Sequence, residues 1–511
     1  MTLSQHLARF RERRACAEPL PTEVAPYTSS TFFKAKQSGS KNKARRWDHR
    51  FSLESATHES SPLKSASRSK QTKLISLGTA RPTSEYYPWM SMHMETLDTP
   101  LEGMASQSSL PLMSCTKGED SYDFSVAMNY GYSAGSPQLL RFITEHVGMI
   151  HKPQYDDWES CLTCGTTSAL EIAFRMFCNR GDVVLVEQFT YPGTLAAMRG
   201  QGLHALGIEM DSLGLVPSDL EQKLESWECT AGPKPFVLYT IPTGQNPTGT
   251  TQSAARRRQI YDIAVKHNLY IIEDDPYYFL QMGNDGSGSK SRGLSELDEY
   301  MAQLPPSYLS LDVSGRVLRM DTASKILAPG LRCGWVTGSS QVVDKFIAYS
   351  EISVLSPSGP SQVMMYKLLD QSWGHDGFIR WLAALSQKYR QRRDTMLRAL
   401  ERFLPMDVCS WGWPDSGMFL WVVIDLAKHP QLHCAETASR PLKLCQDAED
   451  RIYQKSMANG VLVSKGSWFS VGKPQDRHVS FRLTFAAAAK GELAHAIRTF
   501  AEAVKSEFSS N

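Results

Sequence analysis

Short apolar runs recur along this chain with helix-like stretches between them, and that alternation restricts the fold more than any other feature. The runs are Val183 to Val186, Phe236 to Ile241, Tyr270 to Glu273 and Val317 to Met320. Helix-like stretches such as Thr166 to Cys178 and Gln252 to His267 lie among them. A strand that is apolar at consecutive positions needs cover on both faces, and helical crossovers supply it. The pattern predicts an α/β fold in which helices cover a mostly parallel sheet. At 511 residues the chain is too long for one small core, so a second domain is expected.

The boundaries follow from shifts in composition. Residues 1–72 form a basic, Ser- and Thr-rich stretch with little apolar periodicity; through position 75 there are 15 Lys/Arg against 6 Asp/Glu. This reads as a solvated, partly flexible extension. Its first fourteen residues have some character of an arginine-rich targeting segment, although Glu12 and the short apolar stretch count against import. Residues 73–125 are expected to form an arm bordering the site, and 126–355 a large domain. Residues 356–405 should be long connecting helices, including Val343 to Ser350 just before them and Ser361 to Phe403. Residues 406–511 should be a smaller domain with strands at Met418 to Ile424, Gly460 to Val463 and Val479 to Phe485, closed by the amphipathic helix Glu492 to Lys505. Gly283 to Gly293 reads as a surface insertion.

Bulk numbers exclude several classes of function. A net charge of +2 gives no reason to expect nucleic acid as a partner, and no run of eighteen apolar residues suggests a membrane span. Ten cysteines over 511 residues do not form a disulfide framework, which favours a reducing, cytoplasmic setting. Cys161-x-x-Cys164 has no second pair at zinc spacing, so no metal site is expected.

Chemistry concentrates where the apolar runs end. After Tyr308 to Met320 comes Asp321-Thr322-Ala323-Ser324-Lys325, then Gly330-Leu331-Arg332. A lysine amine in such a turn can form a Schiff base, while the Thr322 and Ser324 hydroxyls and the Arg332 guanidinium can hold a phosphate. That combination describes a pyridoxal 5'-phosphate site. Gly165-Thr166-Thr167 opens a helix whose amides can add to the phosphate cradle. Asp274, at the end of a buried run, can keep a pyridine nitrogen protonated, and Tyr277 can donate to the ring oxygen. Asn246, in Asn246-Pro247-Thr248-Gly249, can meet the same oxygen, and Tyr191 can stack on the ring.

This ordered set resembles the class I/II aminotransferases of fold type I, most of all the fungal aromatic and kynurenine/2-aminoadipate branch. Leu74 to Trp89, Tyr130 to Gly135 and Arg45 to His49 resemble that branch in particular. The resemblance implies a large domain with a mostly parallel seven-stranded sheet between helices, plus a smaller C-terminal α+β domain. It implies a homodimer with shared active sites, in which Tyr130 reaches the neighbouring subunit's phosphate. Arg482 would clamp the substrate carboxylate with a bidentate fork, with Gly78 and Asn246 also at the substrate. Thr322 stands where serine is common, and Thr167 where some relatives have glutamine.

The implied reaction is transamination, with Lys325 as catalytic base and acid. The amino group passes from an aromatic amino acid, kynurenine or 2-aminoadipate to a 2-oxo acid such as 2-oxoglutarate. A β-lyase or decarboxylase would use the same cofactor residues. A transcriptional regulator with an aminotransferase-like domain is a weaker alternative, because residues 1–72 lack the periodicity of a DNA-reading helix pair.

Overall fold

The computed structural model describes residues 1–34, 41–58, 77–78, 80–97, 112–228, 230, 232–283, 295–433, 441–472 and 477–509. Leu74 to Ser76 and nearly all of the Gly283 to Gly293 insertion lie outside them. The main sheet has seven strands: β1 (Trp158–Thr163), β2 (Val183–Glu187), β3 (His204–Ile208), β4 (Val237–Thr240), β5 (Tyr270–Asp274), β6 (Val317–Thr322) and β7 (Gly334–Ser339). Their spatial order is β1-β7-β6-β5-β4-β2-β3. Neighbours pair in parallel except at β7, which runs against both β6 and β1.

Every residue of β4, β5 and β6 is buried, as the unbroken apolar runs require. Register then does the positioning. Thr240 lies opposite Glu273, and Asp274 opposite Met320. The three strands therefore end nearly level, and the turns that follow them emerge at one edge of the sheet. In open α/β sheets the carboxyl ends of the strands form the ligand crevice.

A buried ionic knot stiffens that edge. Arg319 of β6 pairs with Glu273 at 3.0 Å, Asp275 at 3.2 Å and Asp321 at 2.8 Å, all shielded from solvent. Removing one partner of such a group leaves uncompensated charge at a cost of about 3–5 kcal/mol.

Buried apolar side chains form two clusters, one around the main sheet and one in the C-terminal part. The second surrounds an antiparallel sheet of β8 (Cys409–Trp411), β9 (Phe419–Asp425), β10 (Ser464–Lys465) and β11 (His478–Thr484), ordered β8-β9-β11-β10. The expected strand at Gly460 to Val463 is displaced to Ser464–Lys465. Gly460 (φ +84°) ends the preceding helix, with Val461 N–H donating to Ser456 O at 2.9 Å, so this backbone is spent on the cap. The long helix expected over Ser361 to Phe403 is interrupted. A π-helical stretch occupies Lys367–Trp373, and Gly374 at φ +63° restarts the α-helix that runs to Phe403.

The described residues among the first 58 (1–34 and 41–58) are more ordered than their composition suggests. Helix α1 (Leu3–Ala15) buries Leu3, His6 and Phe10 against the large domain. Arg14 pairs with Glu145 and with Asp370, both at 2.6 Å, and Trp47 is fully buried. Ser91–Glu95 and Leu112–Thr116 pair as an antiparallel ribbon in the arm. Among the described residues, no helix is long and apolar enough to cross a membrane.

Candidate active site

The turn after β6 holds Lys325, half-buried, at the crevice floor. Its charged neighbours are Arg482, Asp274 and Arg332. Burial lowers its pKa first, and the two guanidinium groups lower it further against the opposing pull of Asp274. A lysine shifted this way is more often neutral at working pH, as a nucleophile or base must be.

Beside it is a cradle of donors. Arg332 has a left-handed backbone (φ +45°) that aims its guanidinium across the turn. Its Nη1 donates to Ser324 Oγ at 3.2 Å and its Nη2 to Cys164 O at 3.2 Å. Thr322 Oγ1 donates to Ser324 Oγ at 3.0 Å. A Cβ on Gly165 would lie 2.5 Å from Arg332 Nη2, so the approach needs glycine. Gly165 (φ +89°) precedes helix α2 (Thr166–Phe177), whose N-terminus has no side-chain cap. Thr166 and Thr167 stand in its first turn with the amides free for an anion.

Across the crevice, Asp274 is buried and one of its oxygens is spoken for. The Tyr239 phenol donates to Oδ2 at 2.7 Å, while Oδ1 has no partner. Burial pushes the Asp274 pKa up to about 6; Asp321 adds to this, while Tyr239, Arg319 and Lys325 oppose it. A buried carboxylate oxygen without a donor is costly unless a cationic N–H meets it. A pyridinium nitrogen does that, and the anion cradle suits the same molecule's phosphate. These residues fit pyridoxal phosphate.

From β11, Arg482 adds a second guanidinium near Lys325. Arg482 Nη1 donates to Asn246 Oδ1 at 2.9 Å and Nη2 to Ser464 Oγ at 3.2 Å, while the buried Nε has no partner. Its guanidinium lies 4.6 Å from the Phe419 ring centroid and 4.9 Å from that of Phe469. Aromatic faces hold the planar cation by its quadrupole and restrict its swing. Tyr277 is buried, with its pKa raised by burial, and Asn246 is among its hydrogen-bonding neighbours.

Lys325, Asp274, Asn246, Tyr277, Arg332 and Arg482 thus converge, as do Gly165, Thr166, Thr322 and Ser324. Tyr191 caps the helix Pro192–Gln201 with its ring across Gly193, where a Cβ would come within 2.3 Å of it. Tyr130 is 57% exposed on this single chain. Gly78 is exposed, with no heavy atom within 4 Å of its Cβ position, and is not joined to the cluster. Cys161 and Cys164 are free thiols, and Cys161 is buried.

Sequence reasoning missed Tyr239, Ser464, Glu187 and Gln245. Glu187 is fully buried at the end of β2, where burial pushes its pKa up to about 8. Tyr, Ser and Gln inside strands and turns carry no pattern of their own, and only three-dimensional pairing reveals them.

Comparison with known proteins agrees with this geometry. Residues 105–500 match the family described as aminotransferase class I and II. The chain is 49% identical over 480 residues to "Aminotransferase swnA" of Metarhizium robertsii, covering 92% of this chain and 93% of that one. It is 39% identical over 473 residues to an aromatic amino acid aminotransferase of Schizosaccharomyces pombe, covering 90% and 98%. The crystal structure of aminotransferase Aro8 from Candida albicans superposes with a TM-score of 0.83 at 36% identity, covering 92% of this chain and all of that one. With a crevice that fits pyridoxal phosphate and a match spanning both domains, the chain belongs to the class I and II aminotransferases.

Proposed function

We propose that this aminotransferase takes pyridoxal phosphate on Lys325 and moves the amino group of an aromatic amino acid, or of kynurenine or 2-aminoadipate, to a 2-oxo acid such as 2-oxoglutarate. The observation that carries the proposal is the pairing of an unpartnered Asp274 oxygen with a half-buried Lys325 in one crevice. Arg332, Ser324, Thr322 and the amides of Gly165 to Thr167 would hold the phosphate. Asp274 would hold the ring nitrogen, Asn246 and Tyr277 would donate to the ring oxygen, and Tyr191 would cover a ring face. When bound, the cofactor supplies an aldehyde that condenses with an amine and a protonated ring that withdraws electrons.

The chain's own groups do the rest. Arg482 binds the α-carboxylate, and its contact with Asn246 links substrate binding to the ring oxygen. The Lys325 amine would remove the substrate α-proton as a base and then give a proton back as an acid, and its lowered pKa keeps it ready for the first role. The aromatic donor is supported by the Phe419 and Phe469 walls and by the printed name of the Schizosaccharomyces relative. A homodimer is supported by the exposed Tyr130, Tyr86 and Trp89. A cytoplasmic setting fits the free thiols of Cys16, Cys115, Cys161, Cys164, Cys178, Cys333 and Cys409.

Two measurements test this. Lys325→Ala should show no visible absorption band after incubation with pyridoxal phosphate, where the parent protein does. A panel of amino donors against 2-oxoglutarate, followed by absorbance, should rank aromatic donors or 2-aminoadipate first. A panel led by small aliphatic donors would overturn the substrate class.

A further inference from the structure

Gln245 is 1% exposed and precedes Asn246 in the turn, yet its side chain does not serve that turn alone. Its Oε1 accepts from Thr248 N–H at 2.9 Å and from Thr248 Oγ1 at 2.7 Å, both within the turn. Its Nε2 crosses to another loop, donating to Phe189 O at 2.6 Å and to Glu187 Oε2 at 3.3 Å. Phe189 lies two residues before Tyr191. Glu187 also accepts from Thr240 Oγ1 at 2.6 Å and Ile241 N–H at 3.0 Å, so its hydrogen-bonding neighbours are donors. Two acceptors on one side and two donors on the other leave the amide one way to face.

We propose that Gln245 is a positioning residue: one buried amide sets the spacing between the Tyr191 loop and the Asn246 turn, and with it the register of both side chains against the cofactor ring. The proposal rests on the pyridoxal phosphate reading for its consequence, but the tie between the loops stands on geometry alone. Among the described residues, no other hydrogen bond joins residues 188–194 to 243–252. The Phe189–Thr190 backbone otherwise bonds to the small domain, with Thr190 N–H donating to Phe469 O at 3.0 Å. Tyr191 in turn lies across Gly193, so its ring follows the path of that backbone. Glu187, shut away beneath both loops, fixes the donor side of the amide and is the second member of the device.

Three variants of the full chain test it. Gln245→Met keeps the volume and removes every side-chain hydrogen bond. Gln245→Glu keeps the shape but sets an oxygen against Phe189 O and Glu187. Thr248→Val removes a hydroxyl on the turn side only. Amide hydrogen exchange is read on the cofactor-free protein over residues 186–194 and 243–252. Both Gln245 variants should speed exchange in both segments, Glu more than Met, and Thr248→Val in 243–252 alone. In the loaded protein, pyridoxal phosphate binding should weaken about tenfold in Gln245→Met, as expected when the two hydrogen bonds that cross between the loops are lost. The pH midpoint of its visible band should rise, because a displaced Asn246 no longer tempers the basicity of the ring oxygen. Faster exchange confined to 243–252 in both Gln245 variants would overturn the proposal, since the amide would then serve only its own turn. Failure of the cofactor reading shows itself separately, as absence of the visible band in the unaltered protein.

Discussion

Replacing Asp274 with asparagine should move stability in opposite directions with and without the cofactor. The carboxyl is buried, accepts one bond from Tyr239, and has its pKa raised from 3.8 to about 6, chiefly by burial. A carboxyl whose folded pKa lies above its unfolded one destabilises the fold at pH above the folded value and has no effect below the unfolded one. A rise of about two units corresponds to about 3 kcal/mol, fully present at pH 8 and reduced to about half at pH 5. Asparagine keeps an acceptor for the Tyr239 phenol and removes the charge. The cofactor-free variant should therefore melt higher than the parent at pH 8, by about 6 °C at roughly 2 °C per kcal/mol. At pH 5 the rise should be about half as large.

Adding pyridoxal phosphate should reverse the order. The charged partner proposed for the ring nitrogen would be gone, and breaking a buried ionic hydrogen bond costs about 3–5 kcal/mol. The variant should gain far less melting temperature from the cofactor than the parent does. Its turnover should fall by about two to three orders of magnitude. Scanning fluorimetry at pH 5 and pH 8, each with and without the cofactor, gives all four values. A cofactor-free variant that melts below the parent at pH 8, or an equal rise at both pH values, would refute the argument that Asp274 stands ionised and uncompensated.

Three further outcomes follow from other parts of the molecule. If Arg482 clamps the α-carboxylate as proposed, Arg482→Lys should raise KM for the amino donor by about 30- to 100-fold, because an ammonium replaces a bidentate fork worth about 2–3 kcal/mol; the affinity for pyridoxal phosphate should barely change. Arg14→Ala should release α1, since it breaks pairs with the buried Glu145 and Asp370 that together cost about 3–5 kcal/mol to lose; limited proteolysis should cut within residues 1–16 sooner. Gly417→Ala should lower the melting temperature and raise KM. Its backbone is left-handed (φ +85°), and the added Cβ would come within 2.8 Å of Gly244 Cα in the loop that leads to Asn246.

Much of this site could be read in the sequence because its residues sit where strands stop. Asp274 closes β5, Lys325 lies three residues past β6, and Asn246 follows β4 by six. An unbroken apolar run followed by a polar cluster marks such an end, and parallel pairing in register brings separate ends to one edge. Arg482 was legible differently, through the resemblance, since an arginine in a strand of alternating burial has no signature of its own. The residues that escaped notice act through a partner. Tyr239 matters because its phenol reaches Asp274, thirty-five positions away, and Ser464 because β10 pairs with β11 opposite Arg482.

The N-terminal segment illustrates the limit from the other side. Its basic composition argues for solvation, and α1 offers a short inward stripe of Leu3, His6 and Phe10 with Leu7 partly buried beside it. What holds it is complementary charge already buried elsewhere. Glu145 is almost fully enclosed and its pKa is held down to about 2: the cost of burial is outweighed by His375 and Arg14. A carboxylate in that position requires cations, and α1 delivers Arg13 and Arg14 side by side in its last turn. Neither end of the pair looks unusual in isolation, because an arginine-rich helix suits solvent and a glutamate in a helix suits a surface. The docking is encoded jointly by Glu145, Asp370 and the two arginines, across more than a hundred intervening residues, and no window of sequence short enough to show periodicity contains them.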